Sequence, residues 1–525
     1  MKSNSNGDLR KARFEKLQRS VVGGDTAYTL ATGEKTRRIY LDSTASTLQL
    51  GVVHDVLEKF HPFYANTHTV SHFGAKLSTA EYTWVHDTVL DFVNADPKDY
   101  ACFFVGSGAT GGLNRIARTM KEKRPDRDVV ITTIMEHHSN DLPHRRHYRK
   151  VVHVPVAMAH NALGCVDITQ LEEALKAHEG KVNYIAVTGV SNVTGIINPI
   201  YDIAELAHRY DALIVVDAAQ MAAHVPIQMS DNENPDRDLD ILVFSGHKIY
   251  APGSPGVVIT KKDLFLGVMP DEVGGGMVER VFVDHYAAYD HFPDREEAGT
   301  PNISGAIALG AALYALKSVG MDYIQKDEDR LLERALAGLK SIDDLIVYGE
   351  TDWNACHRAG AISFNIKDMH HSLTACILND YFNISVRNAC FCAHPYVREM
   401  ISEELGEHFE CLTEKEMDDL VKMRRGMVRA SFGVYNTEKD VDSLVAALKD
   451  LCARREFYVD NYELTPAGRY VHKSFTFDHT KHFSIKGEVD AFSVKRPGRR
   501  YTSTRLQSAS AGDSPRRSFG RAGSF

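Results

Sequence analysis

From about residue 50 to residue 330 the chain alternates short apolar runs with amphipathic stretches, and most of the runs stop at a cluster of small polar residues. A run that is apolar at every position suits a strand buried on both faces, and alternation with helices makes the sheet mostly parallel. The pattern predicts strands at Ala101–Val105, Val129–Thr133, Tyr184–Thr188, Leu213–Val216, Ile241–Phe244 and Gly256–Thr260. Helices are expected at Gly112–Lys123, Ile168–His178 and Tyr201–Arg209. Ser304–Val319, rich in Ala and Leu, reads as a long buried helix leading into a second, smaller domain. There a strand, Gly360–Ile366, mixes with helices at Leu373–Tyr381, Glu414–Gly426 and Glu438–Leu451. The fold class is therefore α/β, a large domain with a mostly parallel sheet followed by an α+β domain. The expected organisation is a polar, partly helical arm over 1–37, the large domain over 38–320 and the small domain over 321–460. An extension over 461–494 and a tail over 495–525 follow.

The polar clusters matter because ligands of open α/β sheets bind beyond the carboxyl ends of the strands. Gly106-Ser-Gly-Ala-Thr-Gly-Gly112 follows the first strand and opens a helix, where glycines admit a close approach and free N–H groups receive a phosphate. Glu136-His-His-Ser-Asn140 follows the second, and an imidazole there can stack on a flat ring. Ser191-Asn-Val-Thr-Gly195 follows the third, with Asn192 able to donate to a phenolic oxygen. Asp217-Ala-Ala-Gln220 and Ser245-Gly-His-Lys248 end the next two. An acid at one strand end and a lysine at the next suit pyridoxal phosphate. The lysine bonds to the cofactor's aldehyde, and the carboxylate keeps the pyridine nitrogen protonated so that the ring accepts electrons.

Taken singly, each group has an ordinary explanation: a solvated lysine, an Asp helix cap, a hydrogen-bonded structural histidine, a turn asparagine. Gly106, Gly108 and Gly111 also fit G-x-G-x-x-G with Glu136 as the acid for a ribose, so a nicotinamide-dependent oxidoreductase competes. A dinucleotide enzyme has no need for the ordered lysine, which ranks it second.

Composition narrows the partners. A net charge of −9 gives no reason to expect nucleic acid, and no apolar run reaches membrane-spanning length. No secretory signal is visible near Met1, and eight cysteines in 525 residues do not make a disulfide scaffold, so a reducing, cytoplasmic setting is expected. Residues 495–525 carry eight basic residues and one acid, Asp513, and should be disordered.

The ordered series Gly108-Ala-Thr110, Glu136-His-His, Ser191-Asn-Val-Thr-Gly, Asp217-Ala-Ala-Gln, Ser-Gly-His-Lys248, Ala298-Gly-Thr-Pro-Asn302 and Arg429-Ala-Ser…Tyr435-Asn-Thr437 resembles the class V aminotransferase family of fold-type I pyridoxal-phosphate enzymes. It is most similar to the cysteine desulfurase and selenocysteine lyase branch, over about residues 38–452. The resemblance implies a seven-stranded type of sheet and a set of roles. Lys248 would hold the cofactor, His137 would stack on its ring, and Asp217 would pair with the ring nitrogen. Gln220 and Asn192 would face the ring oxygen, and Ala109, Thr110, Ser245 and His247 would bind the phosphate. Thr300 would reach the cofactor phosphate of a second subunit in a homodimer. Arg429, with Asn192, His68 and Arg387, would bind a small amino-acid substrate. In desulfurases a cysteine precedes an Ala-x-Pro segment, and Cys392 in Val386-Arg-Asn-Ala-Cys-Phe-Cys-Ala-His-Pro395 stands there. Its thiolate would take the sulfur as a persulfide, leave alanine and pass the sulfur to an acceptor protein. Cys390-x-Cys392-x-His394 is also half of a metal-like spacing, but no second ligand pair accompanies it, and no metal is expected. With Cys392 a bystander, the same frame would serve an aminotransferase, an epimerase or a C–S lyase. Asn388-Ala389, Cys390-Phe391 and Thr69 depart from the residues common in the branch.

Overall fold

Residues 2–160, 162–405, 413 and 426–494 are described by a computed structural model of the chain. They fall into two compact units, Met1–Phe475 and Thr476–Phe525. The helix expected over Glu414–Gly426 lies, except for Gly426, outside the described residues, as does the tail over 495–525.

The first unit is organised by a seven-stranded sheet. Its strands are β1 (Tyr100–Val105), β2 (Val129–Thr133), β3 (Lys150–Val154), β4 (Val182–Thr188), β5 (Leu213–Asp217), β6 (Ile241–Ser245) and β7 (Gly256–Lys261). They lie in the order β1-β7-β6-β5-β4-β2-β3. All neighbours are parallel except β7, which runs against both β6 and β1. Strands β4 and β6 are buried at every residue, which is why their sequences read as unbroken apolar runs. The edge strand β3 escapes that pattern because four of its five residues are at least partly exposed.

Register fixes where the chemistry can sit. Asp217 lies beside Thr188 of β4 and Val243 of β6, while Ser245 faces Gly256, which in turn faces Val105. The ends of β1, β4, β5 and β6 therefore share one edge. The helix Gly108–Lys123 starts at that edge and lies on the sheet; a Cβ on its Gly112 would meet Val243 and Val258 at 2.7 and 2.8 Å. The helix Ile303–Val319 closes the other face, capped by the Asn302 side chain on the Gly305 N–H at 3.0 Å and ended at Gly320.

A second core forms around a four-stranded antiparallel sheet, β8 (Leu345–Val347), β9 (Ala361–Ile366), β10 (Arg387–Ala389) and β11 (Met427–Ser431), ordered β8-β9-β11-β10. The helices Met321–Lys340, His371–Phe382 and Glu438–Ala453 pack on it through Leu332, Ile377 and Leu448. A short parallel pairing, Ile39–Tyr40 with Ile384–Ser385, and a bridge from Asp42 to Ser431 attach the N-terminal segment to this core. The N-terminal residues form a helix, Lys2–Arg19, and a hairpin of Ala27–Thr29 with Lys35–Arg37.

The described part of the second unit holds a short 3-10 turn, His479–Lys481, and a helix, Ile485–Val494. Among the described residues no single helix is long and apolar enough to cross a membrane.

Candidate active site

A cavity of about 310 Å³ opens at the shared strand edge. Its lining includes Ala109, Thr110, His137, Asn192, Asp217, Gln220, Ser245, His247, Lys248, Arg387, Cys392 and Arg429, twelve of the residues singled out in the sequence.

Lys248 ends a 3-10 turn, Gly246–Lys248, that follows β6 directly. Burial lowers its ammonium to about 8, and Arg429 adds to the effect, while Asp217 and Cys392 pull the other way. A lysine so placed reaches its neutral, nucleophilic form near physiological pH. Asp217, 4% exposed, accepts the Ala219 N–H at 2.9 Å. Burial raises its carboxyl, opposed by that hydrogen bond and by Lys248. A buried carboxylate with an unused oxygen calls for a cationic partner such as a protonated ring nitrogen.

The His137 ring accepts the Ser139 N–H on Nδ1 at 3.1 Å, and burial, with Lys248 close by, lowers it to about 4. It is therefore a neutral flat surface at pH 7. The turn before the helix Gly108–Lys123 is left-handed at Ser107 and Gly108, with φ of 57° and 61°. A Cβ on Gly108 would stand 2.6 Å from Ser245 Oγ, and one on Gly256 would stand 2.3 Å from Gly108 O. Ala109 N–H donates to Ser245 Oγ at 2.8 Å, and Thr110 Oγ1 lies 2.7 Å from Ser139 Oγ. The helix start thus forms a close backbone cradle with hydroxyls around it, a setting for a phosphate.

The amide groups hold the walls together. Gln220 Nε2 donates to Thr44 O at 2.9 Å, and Asn192 Nδ2 donates to Phe391 O at 2.7 Å. His247 Nδ1 lies 3.2 Å from Ser46 Oγ, so the 42–47 segment is tied to the lysine turn. Arg429 on β11 is 3% exposed; Nη1 donates to Asn192 O at 2.8 Å and Nη2 to Asp42 at 3.4 Å. Its carbon Cζ stands 4.6 Å from the centre of the Phe391 ring, and its buried Nε has no hydrogen-bond partner. Burial lowers the group to about 10, so it stays a cation at neutral pH with donors to spare for a carboxylate.

Phe391 and Cys392 take left-handed φ values of 51° and 56°, a tight turn that leaves the Cys392 side chain exposed at the cavity mouth. Its carbonyl accepts the His138 N–H at 2.7 Å, and His394 N–H donates to the His138 ring at 3.4 Å. Among the described residues no group of three metal-ligating side chains converges, here or elsewhere.

Glu136 does not act as a ribose acid. It is 2% exposed, with Thr133 Oγ1 and Asn140 Nδ2 each donating to it at 2.7 Å, and it does not line the cavity. Two glycines of the apparent dinucleotide fingerprint are explained by packing, since a Cβ on Gly108 would stand 2.6 Å from Ser245 Oγ and one on Gly111 would overlap Gly106 O at 2.0 Å. His68 and Thr300 also stand apart from the cavity. Asn66 Nδ2 donates to Thr300 Oγ1 at 3.2 Å, and His68 Nε2 lies 3.0 Å from Gly299 O. Thr44, Ala45, Ser139, Thr188 and Phe391 line the cavity without having been anticipated.

The family model for class-V aminotransferases matches residues 39–444. This chain belongs to that family. Among curated relatives of this class-V aminotransferase family member, a cysteine desulfurase of Pectobacterium atrosepticum is 32% identical over 78% of the chain and 92% of its own length. One of Shigella sonnei is 32% identical over 84% of the chain and 97% of its own length. Among solved structures, an apo cysteine desulfurase of Thermococcus onnurineus NA1 superposes with a TM-score of 0.68 at 28% identity, over 83% of this chain and 97% of that one. The Escherichia coli cysteine desulfurase CsdA follows with a TM-score of 0.64 at 27% identity, over 79% and 95%. The family works with pyridoxal phosphate, and the α/β architecture with its mostly parallel sheet is the fold shared with these neighbours.

One further feature frames the site. The Asn192 loop and the small sheet are joined main chain to main chain. Ala359 N–H donates to Gly195 O at 2.8 Å and Ile197 N–H to His357 O at 3.0 Å. Gly195, at φ 77°, has no room for a Cβ, which would lie 2.5 Å from Ala361 O. The fully buried Arg358 donates to Thr194 O, Tyr348 O and Glu350 O across the same seam.

Proposed function

We propose that this chain is a pyridoxal-phosphate-dependent cysteine desulfurase that moves sulfur from L-cysteine, or selenium from selenocysteine, onto Cys392 and leaves alanine. The observation that carries the reading is a single cavity lined at once by Lys248, Asp217, Arg429 and a cysteine at its mouth. The residues fit the cofactor. Asp217 would hold the ring nitrogen, His137 the ring face, Lys248 the aldehyde carbon, and the Gly108 cradle with Ser245, Ala109, Thr110 and His247 the phosphate. When bound, the cofactor supplies an electron sink that weakens bonds next to the substrate's α-carbon.

The chain's own groups do the rest. The spare Nη hydrogens of Arg429 would grip the substrate carboxylate, with Arg387 adding charge at the rim. Lys248, with its ammonium lowered to about 8, can take a proton from the substrate and return it. Cys392 Sγ then accepts the substrate sulfur as a persulfide. Its exposure at the mouth gives an acceptor protein access to that sulfur.

The reading extends to a cytoplasmic homodimer. His68 and Thr300 sit on a surface where a Cβ on Gly276 would meet the His68 ring at 2.6 Å and Gly299 N–H donates to Gly275 O. Phe73 is 89% exposed beside this surface, and Phe282 and Val283 are exposed on the hairpin beyond it. Such aromatic and aliphatic exposure suits burial against a second copy, which would bring Thr300 to the partner's cofactor phosphate.

The test is direct. Purified protein given L-cysteine alone should form alanine and a persulfide on Cys392, seen by mass spectrometry; with dithiothreitol present as reductant it should turn over and form alanine and sulfide in equal amounts. Cys392→Ala should keep the bound cofactor yet release no sulfur, and Cys390→Ala should be milder. Undiminished sulfur release from Cys392→Ala would overturn the assignment and favour a lyase. Sedimentation should give a dimer, and Thr300→Val should retain cofactor less well.

A further inference from the structure

Behind the seam, outside the cavity, two more thiols meet. Cys165 lies on the strand Ala162–Val166 of a hairpin that follows β3, and Cys356 lies in the loop between β8 and β9. Their sulfurs are 3.6 Å apart although the residues are 191 positions apart in sequence. Cys165 Sγ also reaches Ile197 O at 3.4 Å, and Cys165 is only half-buried. The loop around Cys356 is held in place. Ala355 and Cys356 N–H both donate to Asp352 O at 3.1 Å, and Arg358 Nε donates back to Glu350 O at 2.9 Å.

We propose that Cys165 and Cys356 form a reversible dithiol–disulfide site, oxidised by a peroxide, that closes across the seam between the hairpin and the small sheet. One sulfur attacks a peroxide oxygen; an S–O bond forms, the O–O bond breaks and hydroxide leaves, which takes up the thiol's proton as water. The second sulfur then displaces the oxygen from the first; an S–S bond forms, the S–O bond breaks and a second water carries off the remaining proton. Two thiols are oxidised and one peroxide is reduced to two waters. Closing the bond needs a side-chain shift on the order of 1–2 Å. The hydrogen bond between the two thiols also holds Cys356 below its ordinary range, which favours its thiolate.

The location gives the bond a consequence. An apolar cluster of Val156, Leu163, Val193, Tyr348, Phe391 and Tyr396 fills the space beside it. This cluster seats the turn that presents Cys392. A disulfide here ties the hairpin and the Glu350–Arg358 loop, two sides of that seat, with the large closed loop that cross-links exploit best. The inference stands on these distances and not on the reaction assigned to Cys392.

The experiment uses the full-length holoenzyme with Cys392→Ser, so that the exposed thiol does not compete. After mild peroxide, non-reducing digestion should yield one linked peptide pair containing Cys165 and Cys356, with a loss of 2 mass units reversed by dithiothreitol. The oxidised protein should melt several degrees higher, with slower hydrogen exchange over 193–197 and 391–397. Cys165→Ser and Cys356→Ser should each abolish the link and the shift. Sulfinic acid on either residue without a link, or a linked pair with no change in melting, would overturn the proposal.

Discussion

Replacing Arg429 with lysine keeps the charge and removes the fork. In the structure the guanidinium spends one hydrogen on Asn192 O and one on Asp42, and leaves the buried Nε and further Nη hydrogens open. A lysine ammonium carries three hydrogens at a single point and cannot serve Asn192 O, Asp42 and both carboxylate oxygens together. The loss is one charge-assisted hydrogen bond, worth about 1.5–3 kcal/mol, which is roughly a 10- to 150-fold fall in kcat/KM. Because the carboxylate is held equally before and during the reaction, the loss should fall on KM, with kcat within a few-fold of the parent. The assay, run with dithiothreitol to reduce the persulfide, is alanine formation from L-cysteine at varied concentration beside sulfide release from cysteamine, which has no carboxylate. Cysteamine turnover should be unchanged. An unaltered KM for cysteine, or an equal loss on both substrates, would refute the assigned grip.

Three other outcomes follow from the same geometry. Asp217→Asn keeps the shape and loses the charge, and should raise the barrier by on the order of several kcal/mol; single-turnover kinetics check it. Gly108→Ala puts a Cβ 2.6 Å from Ser245 Oγ and should loosen cofactor binding at least about tenfold, whereas Gly253→Ala, at φ 84° with open space around it, should not; spectral titration separates them. In protein stripped of cofactor, Lys248 holds its proton less tightly when folded, with a value of about 8, than at the ordinary lysine value of 10.5. The unfolded chain therefore binds the extra proton between those values. Stability should rise with pH across that window, by on the order of 3 kcal/mol in full, and Lys248→Met should flatten the rise in denaturant titrations.

The parts of this molecule that were legible in the sequence are those governed by local pattern. Strands β2, β4, β5 and β6 were anticipated to within two residues because burial on both faces leaves unbroken apolar runs. Edge strand β3 was not, since its half-exposed Lys-Val-Val-His-Val has no such signature. The helix at Gly108 starts four residues before the position expected, because its glycines serve the cradle and not helix propensity. The strand-end residues could be assigned to a site because parallel register aligns their ends. Asp42, Thr44 and Phe391 could not, because their roles depend on contacts such as that between Asp42 and Arg429, 387 positions apart. No period or spacing encodes such a contact.

The seam at Gly195 has a kinetic consequence. Two folded halves that exchange main-chain hydrogen bonds without space for a methyl group resist swinging apart, because opening the seam would break those bonds. The left-handed turn at Phe391–Cys392 stands on this fixed frame and lines the cavity. A ligand seated over the exposed Cys392 would block sulfur exit without competing for the cofactor.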